Sequence, residues 1–351
     1  MSDFIAQIAE RVREHAARKS PLRIRGGGTK DFLGATGAGE PLDLSSYAGI
    51  VAYEPRELVL TVRAGTRISD IERSLAAEGQ MLPFEPPRFG EAATIGGTVA
   101  CNLSGPRRPY AGAARDFVLG ARIVNGKGED LSFGGRVIKN VAGYDVSRLM
   151  AGAFGTLGVL TELSFKVLPR SAAEATLAFE MDEAAMIEAV NRWAGQPLPL
   201  SATAWESGVL RVRLSGAASA VAAARAKLGG ADVPEGADYW QSLREQALPF
   251  FGGDAPLWRL SVAQTAEPLG LTMPQLVEWG GGQRWLRGEA ELGPMRDAAQ
   301  KARGHATRFR GGERTAGVFH PLAPAIAKIH RRLKEAFDPA GILNPGRMDN
   351  F

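Results

Sequence analysis

Arg25-Gly26-Gly27-Gly28-Thr29-Lys30 is the stretch on which the reading of this chain turns. Residues 22–25 alternate apolar and basic, so they predict a short strand that runs straight into three consecutive glycines. Glycine lets backbone N–H groups approach an anion closely, and successive bends of such backbone form concave phosphate-binding nests. Lys19, Arg23, Arg25 and Lys30 all precede the next acid, Asp31, so the loop lies in positive surroundings. Two further clusters repeat the theme: Ala93-Thr94-Ile95-Gly96-Gly97-Thr98-Val99-Ala100-Cys101-Asn102 and Gly152-Ala153-Phe154-Gly155-Thr156-Leu157-Gly158. Arg107, Arg108 and Arg115 follow the second cluster with no acid between Glu91 and Asp116. Any one cluster could be a tight turn; three of them, separated by predicted strands, point to a phosphate-bearing ligand.

Neither familiar nucleotide signature accompanies them. No Gly-x-Gly-x-x-Gly follows a predicted strand, and Lys127 is followed by Gly128 rather than by the Ser or Thr of a P-loop. Composition narrows the field further. A chain of 351 residues predicts roughly two domains with sizeable cores, and 45% hydrophobic against 23% charged residues excludes disorder. One cysteine, Cys101, excludes an internal disulfide, a zinc ribbon and a cysteine-ligated iron–sulfur cluster, and fits the cytosol. Cys101 itself reads as a small core residue. The net charge of +4 is too small and too dispersed for a nucleic-acid footprint. Residues 1–15 lack the apolar run of a signal peptide. The longest uncharged stretch, 92–106, falls short of the ~20 apolar residues of a spanning helix.

Outward from the glycine clusters, apolar spacing predicts an opening helix over 3–19 and a helix from Ile68 to Gly79. Strands are predicted over 42–44, 49–53, 58–64, 117–124, 130–133 and 158–168, with a turn-rich stretch over 81–115 and a short helix near 144–151. From 171 the pattern becomes strand 175–180, helix 182–194, strands 202–206 and 208–214, and helix 217–228. It continues with helix 237–247, strand 257–263, helix 273–279, strand 284–289, helix 294–303 and strand 307–310. This run resembles a split βαββαβ arrangement, a separate smaller α+β domain. A basic amphipathic helix over 322–337 closes the pattern, and no internal repeat is visible. All six tryptophans fall in 171–310, which suggests a partner-facing surface there.

The order of motifs is also recognisable. Arg-Gly-Gly-Gly-Thr at 25–29, Ala-Thr-Ile-Gly-Gly at 93–97, Arg115-Asp116-Phe117-Val118-Leu119-Gly120, Val141-Ala142-Gly143-Tyr144-Asp145 and Gly155-Thr156-Leu157-Gly158-Val159 occur in series. The chain resembles flavoproteins of the vanillyl-alcohol-oxidase class, whose FAD-binding domain is called the PCMH type, and within them the FAD-binding E subunits of bacterial glycolate oxidases. Phe-Asp-Pro-x-Gly-Ile-x-Asn-Pro-Gly-Arg at 337–347 matches that family's closing segment. The resemblance implies an α+β fold: a PCMH-type FAD-binding domain of two α+β subdomains over 1–170, and a smaller ferredoxin-like cap on the substrate side over 171–310. A C-terminal helix and turn over 311–351 would return to the FAD domain.

Carried over by position, Arg25, Gly26, Gly27, Gly28, Thr29 and Lys30 would form the pyrophosphate loop. Ala93, Thr94, Ile95, Gly96, Gly97 and Asn102 would lie along FAD, with Arg115 and Asp116 holding that wall. Asn140, Ala142 and Tyr144, with Gly155, Thr156, Leu157 and Val159, would contact either the adenine and ribose end or the dimethylbenzene edge of the flavin. Asn344 would bring the terminal turn back to the flavin. Covalent members place a histidine in the first glycine loop; Gly28 and Thr29 stand there, which implies noncovalent FAD.

The resemblance further implies oxidation of glycolate, a 2-hydroxy acid, to glyoxylate within a heteromeric complex. Its partners would be a larger FAD-containing subunit and an iron–sulfur subunit. The complex would be cytoplasmic and would reach a membrane only through those partners. No catalytic residue is evident. The four histidines, His15, His305, His320 and His330, are scattered, and the His-x-Gly-Asp-Gly-Asn stretch of the related large subunit is missing. His320 is the one histidine near a domain junction, with Arg308, Arg310 and Arg314 close in sequence. Two alternatives stay open: a non-catalytic scaffold that keeps the flavin fold, and a self-sufficient D-2-hydroxy-acid dehydrogenase.

Overall fold

The computed structural model describes residues 2–135, 144–314 and 317–348. They form two compact units: the described residues of Met1–Leu103, Ala113–Pro169 and Pro321–Phe351 in one, and those of Ser104–Gly112 and Arg170–His320 in the other. The sequence boundaries at 170 and 311 do not include the short 104–112 excursion, which carries no compositional mark of its own.

In the first unit, helix Ser2–Arg18 buries Ile5, Ile8 and Val12 at helical spacing against Leu22, Leu42, Leu44, Val124, Val159 and Leu343. Phe4 stacks on Tyr47 with ring centroids 4.8 Å apart. Strand Leu22–Arg25 pairs in parallel with Glu40–Asp43, and Leu343 bridges Leu22 on the other side. A five-stranded antiparallel sheet follows in the order Ile50–Glu54, Val59–Arg63, Val159–Lys166, Val118–Val124, Asp130–Gly134. Its central strand, Val159–Lys166, is buried along most of its length, with the hydroxyls of buried Thr161 and Ser164 satisfied by the Arg122 carbonyl and Thr61 Oγ1, each at 2.9 Å.

The second unit is an eight-stranded antiparallel sheet in two halves. Ala231–Asp232, Ala173–Glu180, Val209–Gly216 and Leu200–Glu206 lie in the spatial order 4-1-3-2, the split βαββαβ arrangement. Gln275–Glu278, Gln283–Arg287, Leu257–Ser261 and His305–Arg310 then follow as 2-3-1-4. The halves join where Ala204, Trp205 and Glu206 face Glu278, Val277 and Leu276. The topology is therefore doubled about the centre of the sheet, a repeat that the sequence does not display. Helices Glu183–Ala194 and Ala218–Leu228 cover one half through Met186, Val190 and Val221, and Leu292–Lys301 covers the other through Met295 and Ala299.

Three expectations are corrected here. The predicted helix over 273–279 is the strand Gln275–Glu278 followed by a short turn of helix. The turn-rich stretch 81–115 contains the helix Ile95–Cys101. The tryptophans make no outward surface: Trp205, Trp240, Trp258, Trp279 and Trp285 are buried, and Trp193 is partly buried against Phe179. They fill the interior of the doubled sheet, where large aromatic area contributes most.

Candidate functional site

The first glycine loop is pressed so tightly onto the second cluster that side chains are excluded. A Cβ on Gly27 would lie 1.5 Å from the Ala92 carbonyl oxygen, and one on Gly26 would lie 2.3 Å from Thr94 Oγ1. Gly28 has φ 71°, the left-handed region, and the Arg25 guanidinium folds against it to pair with Asp31 at 3.1 Å. Gly26 and Gly27 are bends rather than hydrogen-bonded turns. Thr29 Oγ1 donates to the Arg88 carbonyl at 2.8 Å, and the buried Lys30 ammonium lies 3.3 Å from the same oxygen.

Thr94 opens helix Ile95–Cys101 as its N-cap, its hydroxyl accepting the Gly97 N–H at 3.3 Å. Gly96 rests on Ala64, where a Cβ would come within 2.7 Å of the Ala64 Cβ. The third cluster supplies the opposite wall. Phe154 and Gly155 both adopt positive φ, 51° and 71°, which turns the chain over the first loop.

Asn344 locks that wall in place. Its Oδ1 accepts the Ile24 N–H at 2.7 Å and its Nδ2 donates to the Phe154 carbonyl at 2.6 Å, so one buried amide ties the strand before the glycines to the third cluster. Arg347 then spans the first loop, donating to the carbonyls of Ala35 at 3.0 Å and Lys30 at 3.2 Å. Burial pushes its pKa below the usual guanidinium value, against the opposing pull of Cys101 and Asp31. Lys334 fixes the segment from behind. Its ammonium donates to the carbonyls of Thr156 at 2.8 Å and Leu343 at 2.9 Å and to buried Asp338 at 2.6 Å. Asp338 in turn accepts the N–H groups of Ile342 and Leu343.

These parts enclose a cleft of about 740 Å³, open solvent at its mouth included. Of the residues singled out in the sequence, Arg25, Gly26, Gly27, Gly28, Thr29, Lys30, Thr94, Gly96, Gly97, Gly155 and Asn344 line it. The others lie elsewhere. Ala93 and Ile95 are buried outside the lining, and Asn102 caps the helix in a left-handed conformation, accepting the Arg115 N–H at 3.3 Å. Asp116 accepts the Ala113 N–H, Thr156 and Leu157 pack inward, and Val159 starts a sheet strand. Tyr144 is 94% exposed, outside the lining. Asn140 and Ala142 lie outside the described residues.

The lining also holds residues that the sequence reading missed: Ile24, Leu44 and Leu160 as an apolar floor, and Cys101 and Arg347 as polar margin. Arg347 sits in the quoted terminal motif beside Asn344, and its basic charge was the available signal. The donor set suits an elongated ligand that carries an anion beside an apolar ring system. Glycine backbone and the cations Arg25, Lys30 and Arg347, which outnumber the one lining carboxylate, Asp31, answer the anion; the aliphatic floor answers the ring.

His320 is placed in the second unit, where its Nδ1 faces the Ala306 N–H at 3.4 Å. Lost hydration and the Arg296 guanidinium hold its pKa below the ordinary imidazole value. Arg308 donates to the Glu313 carbonyl and Arg310 to that of Phe251, so these side chains brace loops.

Residues 4–134 match the family model of the FAD binding domain, and residues 321–348 match that of the C-terminal domain of FAD linked oxidases. The glycolate oxidase subunit GlcE of Escherichia coli (strain K12) is 48% identical over 346 residues, 99% of this chain and 97% of that protein. The chain belongs to the GlcE family of glycolate oxidase subunits. As a GlcE-family member it is an FAD-linked oxidoreductase subunit with FAD as its cofactor, and the cleft fits that group. The glycolate oxidase subunit GlcD of Bacillus subtilis (strain 168) is 33% identical over half of this chain, which spans only 37% of that protein. The crystal structure of p-cresol methylhydroxylase with substrate bound superposes with a TM-score of 0.70 over 98% of this chain and 87% of that one, at 18% identity. That likeness speaks to the PCMH-type α+β fold alone.

Proposed function

We propose that this chain is the FAD-carrying E subunit of a heteromeric glycolate oxidase, taking part in the oxidation of glycolate to glyoxylate. The observation that carries the reading is the cleft in which two glycine clusters and the Asn344 clamp converge. Bound FAD would accept the two electrons of the oxidation and pass them on, chemistry that belongs to the cofactor. Gly26, Gly27 and Gly28 would cradle the pyrophosphate with Lys30 and Arg347 as counter-charges. Ile24, Leu44 and Leu160 would exclude water from the ring. Gly28 and Thr29 stand where covalent members place a histidine, which supports noncovalent attachment.

Oxidising a 2-hydroxy acid also needs a base for the hydroxyl proton. His320, engaged with a backbone N–H, is a poor fit to that task. The reading therefore assigns substrate oxidation to joint action with a larger flavin-containing subunit. With one cysteine this chain cannot itself ligate an iron–sulfur cluster through thiolates, so a separate iron–sulfur subunit would take the electrons. No helix among the described residues is long and apolar enough to cross a membrane. The complex would work in the cytoplasm and reach a membrane only through partners.

An anaerobic titration of the FAD-loaded chain with glycolate and with D-lactate, read by flavin absorption, tests this. Bleaching only after the partner subunits are added is the expected result. Bleaching by the chain alone would make it a self-sufficient dehydrogenase, and failure to bind FAD would leave a scaffold.

A further inference from the structure

The excursion Ser104–Gly112 belongs to the second unit, where one tryptophan pins it. Trp279 Nε1 donates to the Gly105 carbonyl at 3.2 Å, and the Arg108 guanidinium lies on the Trp279 ring, 4.3 Å from its centroid. The turn after Trp279 reaches the end of strand Leu257–Ser261, where the Val262 N–H donates to the Gly282 carbonyl at 2.9 Å. That strand runs antiparallel to His305–Arg310, with Ser261 opposite His305 and Arg259 opposite Thr307. Arg259 and His305 are therefore diagonal neighbours on one face, with β-carbons roughly 7 Å apart. It is the face turned away from Leu260, Ala306 and the helix residues Met295 and Ala299 packed on them. On it the Arg259 guanidinium lies 5.5 Å from the Phe309 ring centroid. His320 comes to the same strand, its Nδ1 facing the Ala306 N–H.

The groups that act on the His305 ring are all basic. Lost hydration lowers its pKa most, and Arg259, His320 and Arg108 lower it further. Solvent nonetheless reaches the residue, so the ring is crowded yet open to small solutes. Gathering basic groups in this way raises the energy of each, and an anion offsets that repulsion. Stacking engages the face of a guanidinium whereas a carboxylate is bound by its N–H edge, so the two contacts are compatible. At neutral pH the imidazole is uncharged and carries one acceptor nitrogen. A 2-hydroxy carboxylate supplies both matching parts, an anion for the guanidinium edges and a hydroxyl proton for the imidazole; a phosphate asks for donors alone. We propose that Arg108, Arg259 and His305 form a binding subsite for a small 2-hydroxy carboxylate, with the guanidiniums on its carboxylate and the imidazole accepting from its hydroxyl. This deepens the reading of the chain as a glycolate oxidase subunit and rests on it.

The test titrates the full, FAD-loaded chain with glycolate and follows calorimetric heat together with the ring-proton NMR signal of His305, assigned through His305→Leu. Saturable binding that moves this signal is expected. Arg108→Gln and Arg259→Gln should each weaken binding by about tenfold or more while FAD content and melting temperature are kept. Arg259→Lys, which retains the charge but not the planar fork, should also bind more weakly and serves where the Gln variant does not fold. Acetate, which lacks the hydroxyl, should bind less tightly than glycolate, and His305→Leu should erase that preference. Arg211→Gln, in the other half of the sheet, should bind as the wild type does. Retained FAD without saturable glycolate binding would overturn the subsite and leave the subunit reading standing, as would full affinity in the folded Arg108 and Arg259 variants. An equal loss in Arg211→Gln would overturn it in favour of a diffuse positive field. Inorganic phosphate binding more tightly than glycolate at the same residues would do so in favour of a phosphate-bearing ligand. Variants that keep glycolate affinity but no longer join the partner subunits would do so in favour of an acidic partner surface. A wild-type chain that takes up no FAD would instead sink the reading on which the proposal stands.

Discussion

Gly27 has no room for a methyl group, because the Ala92 carbonyl occupies its place at 1.5 Å. Gly27→Ala must therefore part the first two glycine clusters; a loss of more than about 2 kcal/mol of stability, typical of forced backbone shifts, is expected together with loss of bound FAD. Urea unfolding and flavin absorbance on the same sample check both. Asn344→Ala removes the acceptor of the Ile24 N–H and the donor to the Phe154 carbonyl, from a residue at φ 45°. With each hydrogen bond worth about 1 kcal/mol, a destabilisation of about 2–3 kcal/mol is expected, read as a lower urea midpoint at unchanged slope. His320 sets a pH dependence. Its folded pKa lies below the ordinary value of 6.5, so between the two the unfolded chain binds more protons. Stability should fall as pH drops from about 6.5 to the depressed folded pKa, and level off below it. Melting temperatures across that range should show a shallower slope for His320→Gln.

The C-terminal helix depends on one buried amine. Lys334→Met leaves Asp338, which is 1% exposed, without its cation, and breaking such a pair typically costs about 3–5 kcal/mol. If the helix and terminal turn act as one element, the variant should also release FAD more readily, and limited proteolysis should cut within 321–348 first. At this scale the sequence was readable where local chemistry and packing agree. Helix Ser2–Arg18 and strand Leu22–Arg25 followed from apolar spacing, and the first glycine loop from composition. It was unreadable where packing overrides propensity. Gly96 and Gly97 argue against a helix, each costing about 1 kcal/mol relative to Ala, yet Ile95–Cys101 is helical, capped by Thr94 and with Ile95 and Val99 buried, and Gly96 stands where only a glycine can rest on Ala64. Gln275–Glu278 is too short an apolar run for its period to separate strand from helix. Arg347 reaches the first loop through hydrogen bonds to carbonyls 312 and 317 positions earlier, a placement that its basic charge hints at but no local pattern fixes.

On the scale of the whole molecule, every residue that lines the cleft comes from the first unit. FAD should therefore stabilise that unit by mass action, by about 2.7 kcal/mol at a free concentration one hundred times its dissociation constant. Calorimetry with and without FAD should show its transition moving upward, and a scan unaffected by FAD would contradict the assignment of the site. The 2-3-1-4 half of the second unit repeats the 4-1-3-2 half without a visible sequence repeat, so different side chains build the same topology there. The Asn344 clamp, meanwhile, orders events in time. Its partner Ile24 lies 320 positions earlier, so a growing chain exposes both leading glycine clusters long before the residue that closes them is translated. A nascent polypeptide stalled anywhere short of residue 344 presents an unfinished cradle, and tight cofactor capture must wait until nearly all of the chain has left the ribosome.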